Sequence, residues 1–117
     1  MSQSNCNDRE RKQRHVHEVH GITEVFNEWN DCHNHRFATV SGEAMRSGCS
    51  HVHEIHFRTE FADGHYHEFC GVSSEAIDVG NGKHVHFASA CTKEEDGHKH
   101  RFQVASLIES PQDFACN

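Results

Sequence analysis

Histidine carries the reactive chemistry of this 117-residue chain: twelve of its fourteen histidines stand in six His-x-His pairs. The pairs are His15/His17, His33/His35, His51/His53, His65/His67, His84/His86 and His98/His100. Side chains two residues apart in a β-strand share one face, so each pair is a two-nitrogen claw. Imidazole is the commonest protein ligand for metals and suits Zn, Cu, Ni and Fe. One pair would say little. Six at regular intervals make metal binding the leading reading and all twelve residues candidate ligands.

The elements that must position these pairs repeat with them. A first kind reads HVHE, HVHE and HVHF from His15, His51 and His84; a second reads CHNHRF, GHYHEF and GHKHRF around His33, His65 and His98. A threonine recurs at Thr23, Thr59 and Thr92, and Asp-Gly at Asp63-Gly64 and Asp96-Gly97. Glu43-Ala44-Met45 and Glu75-Ala76-Ile77 match each other, with Ser106-Leu107-Ile108-Glu109 a looser third copy. The chain therefore divides into an N-terminal arm (1–14), three units of about 33 residues (15–50, 51–83 and 84–110) and a C-terminal tail (111–117). Such a period signals an array or a pseudo-symmetric fold in which no unit buries a core alone.

The local pattern is β. His51, His53, Ile55 and Phe57 are in phase, as are His65, His67 and Phe69, and His98, His100, Phe102 and Val104. The pairs thus lie on the apolar face and should point inward. Asp63-Gly64, Asp96-Gly97 and Gly80-Asn81-Gly82 are hairpin signals. The expected fold is all-β: three β-hairpin repeats around a pseudo-threefold axis, as a small barrel or trefoil-like structure. If the Asp-Gly turns close the hairpins, the two kinds of pair form two layers of six histidines. A turn near Thr59 would instead give three four-histidine sites. The two-layer arrangement is the preferred expectation.

Length allows one domain. Apolar content of 34% makes a thin core, and small folds of that kind usually need metal, disulfides or oligomerisation. The net charge of −7 argues against nucleic acid as a partner. The one basic stretch, Arg9 to Arg14, is short and interrupted by Glu10. No apolar run is long enough for a signal peptide or membrane span, so synthesis in the cytoplasm is expected, with a cell- or spore-surface destination compatible. The six cysteines (Cys6, Cys32, Cys49, Cys70, Cys91 and Cys116) form no CxxC pair, against zinc-finger and thioredoxin readings. Cys32 and Cys49 each sit just before a histidine pair, where a mixed Cys/His ligand set is conceivable. Cys6 and Cys116 lie near the chain ends, suited to disulfides between copies in a homo-oligomer or fibre.

The runs Gly64 to Phe69, His51 to Glu54 and Gly82 to Phe87, with His33 to Ala38 and Ser41 to Ala44, resemble the YmaF family of small bacterial His-rich proteins. The resemblance spans about residues 15–110. It implies no established activity, and this chain is richer in cysteine than the resemblance leads one to expect.

An enzyme reading starts from His51-x-His53-x-x-His56 and its copy His15-x-His17-x-x-His20, which superficially resemble the HxHxDH motif of binuclear metallohydrolases. Here Ile55 and Val19 stand where that motif has an acid, and in a strand His56 points away from His51 and His53. Glu18, Glu54 and Glu68 follow pairs directly and face the opposite side. A catalytic zinc needs an open position and a nearby base. The favoured function is therefore not enzymatic: a transition-metal-binding structural protein that self-assembles, or alternatively a metal buffer. Zinc is the default ion for a structural site, with Cu, Ni or Fe as alternatives; three-fold histidine layers would suit Ni, Fe or Co. Glu43, Glu75 or backbone carbonyls are candidates to fix the ring tautomers. A metal-free buried histidine network competes, but it needs a partner for nearly every ring nitrogen.

Overall fold

The structure, a computed structural model, describes residues 15–28 and 31–111. It is all-β, with no helix among the described residues. The strands are β1 (Val16–Ile22), β2 (Phe26–Glu28), β3 (Asp31–His33), β4 (Arg36–Val40), β5 (Ala44–Ser47), β6 (Ser50–Arg58), β7 (Glu68–Val72), β8 (Ile77–Gly80), β9 (Lys83–Val85), β10 (Phe87–Cys91), β11 (Arg101–Ala105) and β12 (Glu109–Ser110). Their alternation is the one the sequence carries. Along β6 His51, His53, Ile55 and Phe57 are buried, while Glu54, His56 and Arg58 face solvent.

Three antiparallel pairs form the body: β1 with β4, β6 with β7 and β10 with β11. Asp63-Gly64 and Asp96-Gly97 close the turns ahead of β7 and β11. Both residues of each turn have positive φ (56° and 81°; 59° and 81°), the backbone of a type I′ turn. Antiparallel pairing then sets Phe57 opposite Phe69, with His51 and His53 at one end of the pair and His65 and His67 at the other. Between the two ends lies the apolar core: Val19, Phe37, Ile55, Phe57, Ala88 and Phe102, with Phe69, Ala90 and Val104 against it. Phe37 and Phe57 stack at 4.0 Å, and Phe102 sets its edge to both.

The expected barrel does not close. The strands form separate sheets of two or three members. Neighbouring pairs meet through single backbone bonds at their ends, such as Gly42 N–H to Glu54 O (3.0 Å) and Glu60 N–H to Arg36 O (2.8 Å). Between these two bonds the Thr39 hydroxyl donates to the His56 carbonyl at 2.8 Å, so a side chain takes an acceptor that a continuous ladder would use.

Candidate metal centres

The histidines gather in two sets at opposite ends of the core. His15, His17, His51, His53, His84 and His86 form the first, every ring buried and their ligand nitrogens within 4.8 Å of one another. The second contains His33, His35, His65, His67, His98 and His100, in two overlapping groups of four that share His65 and His100. This is the two-layer arrangement. His20 and His56 are exposed and belong to neither set.

The backbone of the second histidine in each pair is clamped. Thr59 N–H donates to His67 O (2.8 Å) and Thr59 Oγ1 accepts His67 N–H (3.0 Å). Thr23 does the same with His35, and Thr92 with His100. In the other set Ser41 clamps His17, Ser73 clamps His53 and Ser106 clamps His86. All six hydroxyl residues are buried. The threonines stand out in the sequence only as repeat markers. The serines have no role in the sequence reading, although they recur at positions 41, 73 and 106 with nearly the same period.

The residue after each clamp fixes a neighbouring ring. Gly42 O accepts His53 Nδ1–H at 2.8 Å, Ser74 O accepts His86 Nδ1–H at 2.8 Å and Leu107 O accepts His17 Nδ1–H at 2.9 Å. Glu60, Lys93 and Glu24 carbonyls accept from His35, His67 and His100 at 3.2, 3.0 and 2.9 Å. These same six residues make the backbone bonds that pin the seams between strand pairs. A carbonyl can only accept, so Nδ1 holds the ring proton and Nε2 presents a lone pair inward.

In the second set the remaining rings are held the same way. His33 Nδ1 lies 2.9 Å from Asp31 Oδ1 and 3.2 Å from Asp63 Oδ2. His65 and His98 donate from Nδ1 to the carbonyls of Asp63 (2.9 Å) and Asp96 (3.1 Å). Yet Nε2 of His98 stands 3.1 Å from that of His33 and 3.2 Å from those of His65 and His67. In neutral rings with the proton on Nδ1, these are lone pairs facing lone pairs with no hydrogen between them. The first set repeats the spacing: His15, His51 and His84 are mutually 3.1–3.2 Å apart at Nε2. Nε2 of His86 and of His100 is buried with no hydrogen-bond partner.

Burial disfavours the charged form of eight of these rings. Burial pulls His15, His53 and His86 down from 6.5 to about 4 and His51 to about 3, and neighbouring imidazoles add to the shift. Burial also lowers His17, His35, His67 and His100, opposed by their bonds to carbonyls. Among the described residues, carboxylates reach only the outermost rings: Asp31 and Asp63 at His33, Asp96 Oδ2 3.5 Å from His65 Nδ1, and Glu109 Oε1 3.5 Å from His84 Nδ1.

Four expected contributors lie elsewhere. Glu43 and Glu75 are exposed, and Glu75 accepts from the Ser47 hydroxyl instead of a ring. Cys32 and Cys49 are exposed free thiols outside both sets, as are Cys70 and Cys91, because each falls on the outward side of its strand or turn. No disulfide forms among the described residues; Cys6 and Cys116 lie outside them.

No curated protein and no solved structure matches the chain significantly. A family does match, described as "Spore germination protein GerY/YamF", over residues 12–108, a span that includes all twelve paired histidines and both centres. The chain belongs to the YmaF family.

Proposed function

We propose that this chain is a metal-crosslinked structural protein that holds one transition-metal ion in each histidine set. The observation that carries the reading is the convergence of Nε2 atoms at 3.1–3.2 Å, with Nδ1 of the second-set rings turned outward onto oxygen acceptors. A cation relieves the repulsion between such lone pairs, and in the second set, with its rings neutral, no inward donor is left to do so. Imidazole donors without an obligatory carboxylate suit a transition metal over Mg or Ca.

The three strand pairs are read as related by a pseudo-threefold axis through both sets. Recurrence of the Thr and Ser clamps and of the seam bonds around the molecule supports this. Each ion then ties all three units together. Structural zinc in small peptides supplies about 10–16 kcal/mol, against a whole-domain stability of about 5–15 kcal/mol. With so small an apolar core, the metal is a principal source of stability.

The role is structural, not catalytic. Imidazoles surround each centre; of the three glutamates that directly follow a pair, Glu18 and Glu54 are exposed and Glu68 pairs with Arg58 at 4.0 Å. Copies join into a homo-oligomer or fibre through cysteine; the exposed thiols of Cys32, Cys49, Cys70 and Cys91 support this. Membership of a family described as spore germination protein supports a role in the spore.

Elemental analysis by mass spectrometry, on untagged protein purified without chelator, tests the reading. Stoichiometric transition metal is expected at more than one equivalent per chain. Well-folded protein without metal overturns it. His51→Ala combined with His53→Ala should lower both bound metal and Tm, and unchanged values for both would exclude a structural ion at that pair.

A further inference from the structure

The ring contacts define a polyhedron. In the first set every imidazole contacts every other except in three combinations: His15 with His86, His17 with His51, and His53 with His84. Six vertices lacking only three opposite combinations make an octahedron. The second set repeats it, with His33 opposite His67, His65 opposite His100, and His35 opposite His98. A trigonal prism would set each ring of one triangle against a single ring of the other. Here His15 meets both His17 and His53, and His84 meets both His17 and His86.

The size agrees with the shape. An octahedral edge is √2 times the centre-to-vertex distance, so the 3.1–3.2 Å edges of the His15/His51/His84 face fit a centre about 2.2 Å from those nitrogens, and the opposite vertices that implies, about 4.4 Å apart, fall within the 4.8 Å spread of the six. A tetrahedron of zinc–imidazole bonds, at about 2.0–2.1 Å, would hold its nitrogens about 3.3–3.4 Å apart and use four rings. Four ligands would also leave two buried imidazoles in each set with unpaired lone pairs, a costly arrangement.

Resting on the reading that these sets bind metal, we propose that both are saturated six-nitrogen octahedral sites that select a divalent ion favouring six-coordination, of the Ni(II), Co(II) and Fe(II) class, over zinc. Saturation leaves no position for water or substrate on the ion. The centre crosslinks the fold without acting as a Lewis acid.

The test uses the full chain expressed with cobalt as the supplied metal, with cobalt counted by mass spectrometry and its environment read by X-ray absorption. Six nitrogen neighbours and the weak visible absorption of octahedral cobalt are expected. Bound cobalt with four neighbours and intense visible absorption overturns six-coordination while leaving metal binding intact. Absence of cobalt and of any other metal from folded protein removes both readings. His17→Ala and His86→Ala, made separately, should each change the cobalt spectrum; a silent variant shows that its ring is no ligand and overturns saturation. Protein expressed with equal nickel and zinc should retain more nickel than zinc, and the reverse ratio overturns the selectivity.

Discussion

The second histidine of each pair is a candidate ligand and a seam residue at once. Its N–H and C=O are taken by a buried Ser or Thr, and its Nδ1–H by a carbonyl of an adjoining strand pair. Thr59→Val keeps the side chain's shape but removes the acceptor for His67 N–H. Leaving that buried donor unpaired costs about 1–3 kcal/mol, to be read from chemical denaturation; unaltered stability would mean that the clamp contributes nothing. The second set has a further control, since two carboxylates converge on His33 Nδ1. Partners of this kind raise ligand basicity, and their loss typically weakens metal binding by about 10–100-fold. Asp63→Asn tolerates the same turn backbone and should release metal to a chelator more readily from one set only. Equal weakening at both sets would contradict the assignment of Asp63 to His33.

At the scale of the hairpin, the turn decides where the histidines land. Gly97 has φ of 81° and open space around its Cα, so Gly97→Ala costs only backbone strain, roughly 1–2 kcal/mol. His98 follows directly, so the same variant should disturb the second set and spare the first, measurable as loss of part of the bound metal. The Asp-Gly turns were legible in the sequence because only such residues accept positive φ at both positions. So were the inward register and the twelve buried or nearly buried rings, since alternation ties His51 and His53 to Ile55 and Phe57; the two layers were the preferred of two arrangements the sequence left open. The seams were not legible. They depend on carbonyls such as Glu60 O and Lys93 O that have no side-chain signature, and they explain why the strand pairs stop short of a closed barrel. The serine clamps left a weak trace, because a small polar residue repeating beside stronger motifs looks like ordinary loop composition. Cys32 and Cys49 misled in the other direction: nearness to a histidine pair in sequence says nothing of the face on which a thiol falls.

For the whole molecule, the histidine sets replace part of the hydrophobic core with groups that titrate, so stability becomes a function of pH. The folded chain holds His15, His53 and His86 near pKa 4 and His51 near 3, whereas in the unfolded chain they return to about 6.5. Between those values the unfolded state binds more protons than the folded one, so unfolding free energy falls as pH falls through that window. Above pH 6.5 both states hold these rings neutral and the dependence disappears. Protonation of all fourteen histidines would carry the formal charge from −7 to +7, adding repulsion within the sets to the cost of burying charge. A bound ion competes with protons for the same Nε2 atoms and prefers the folded state, so metal-loaded protein should resist acid further than metal-free protein. Circular dichroism during acid titration, with and without prior chelation, measures both. The metal-free chain is expected to lose structure between about pH 6.5 and 4, and the loaded chain at lower pH. A metal-free chain equally stable at pH 7 and pH 4 would mean that the histidines are not buried together. Coincident acid transitions with and without metal would mean that the ion does not hold the fold.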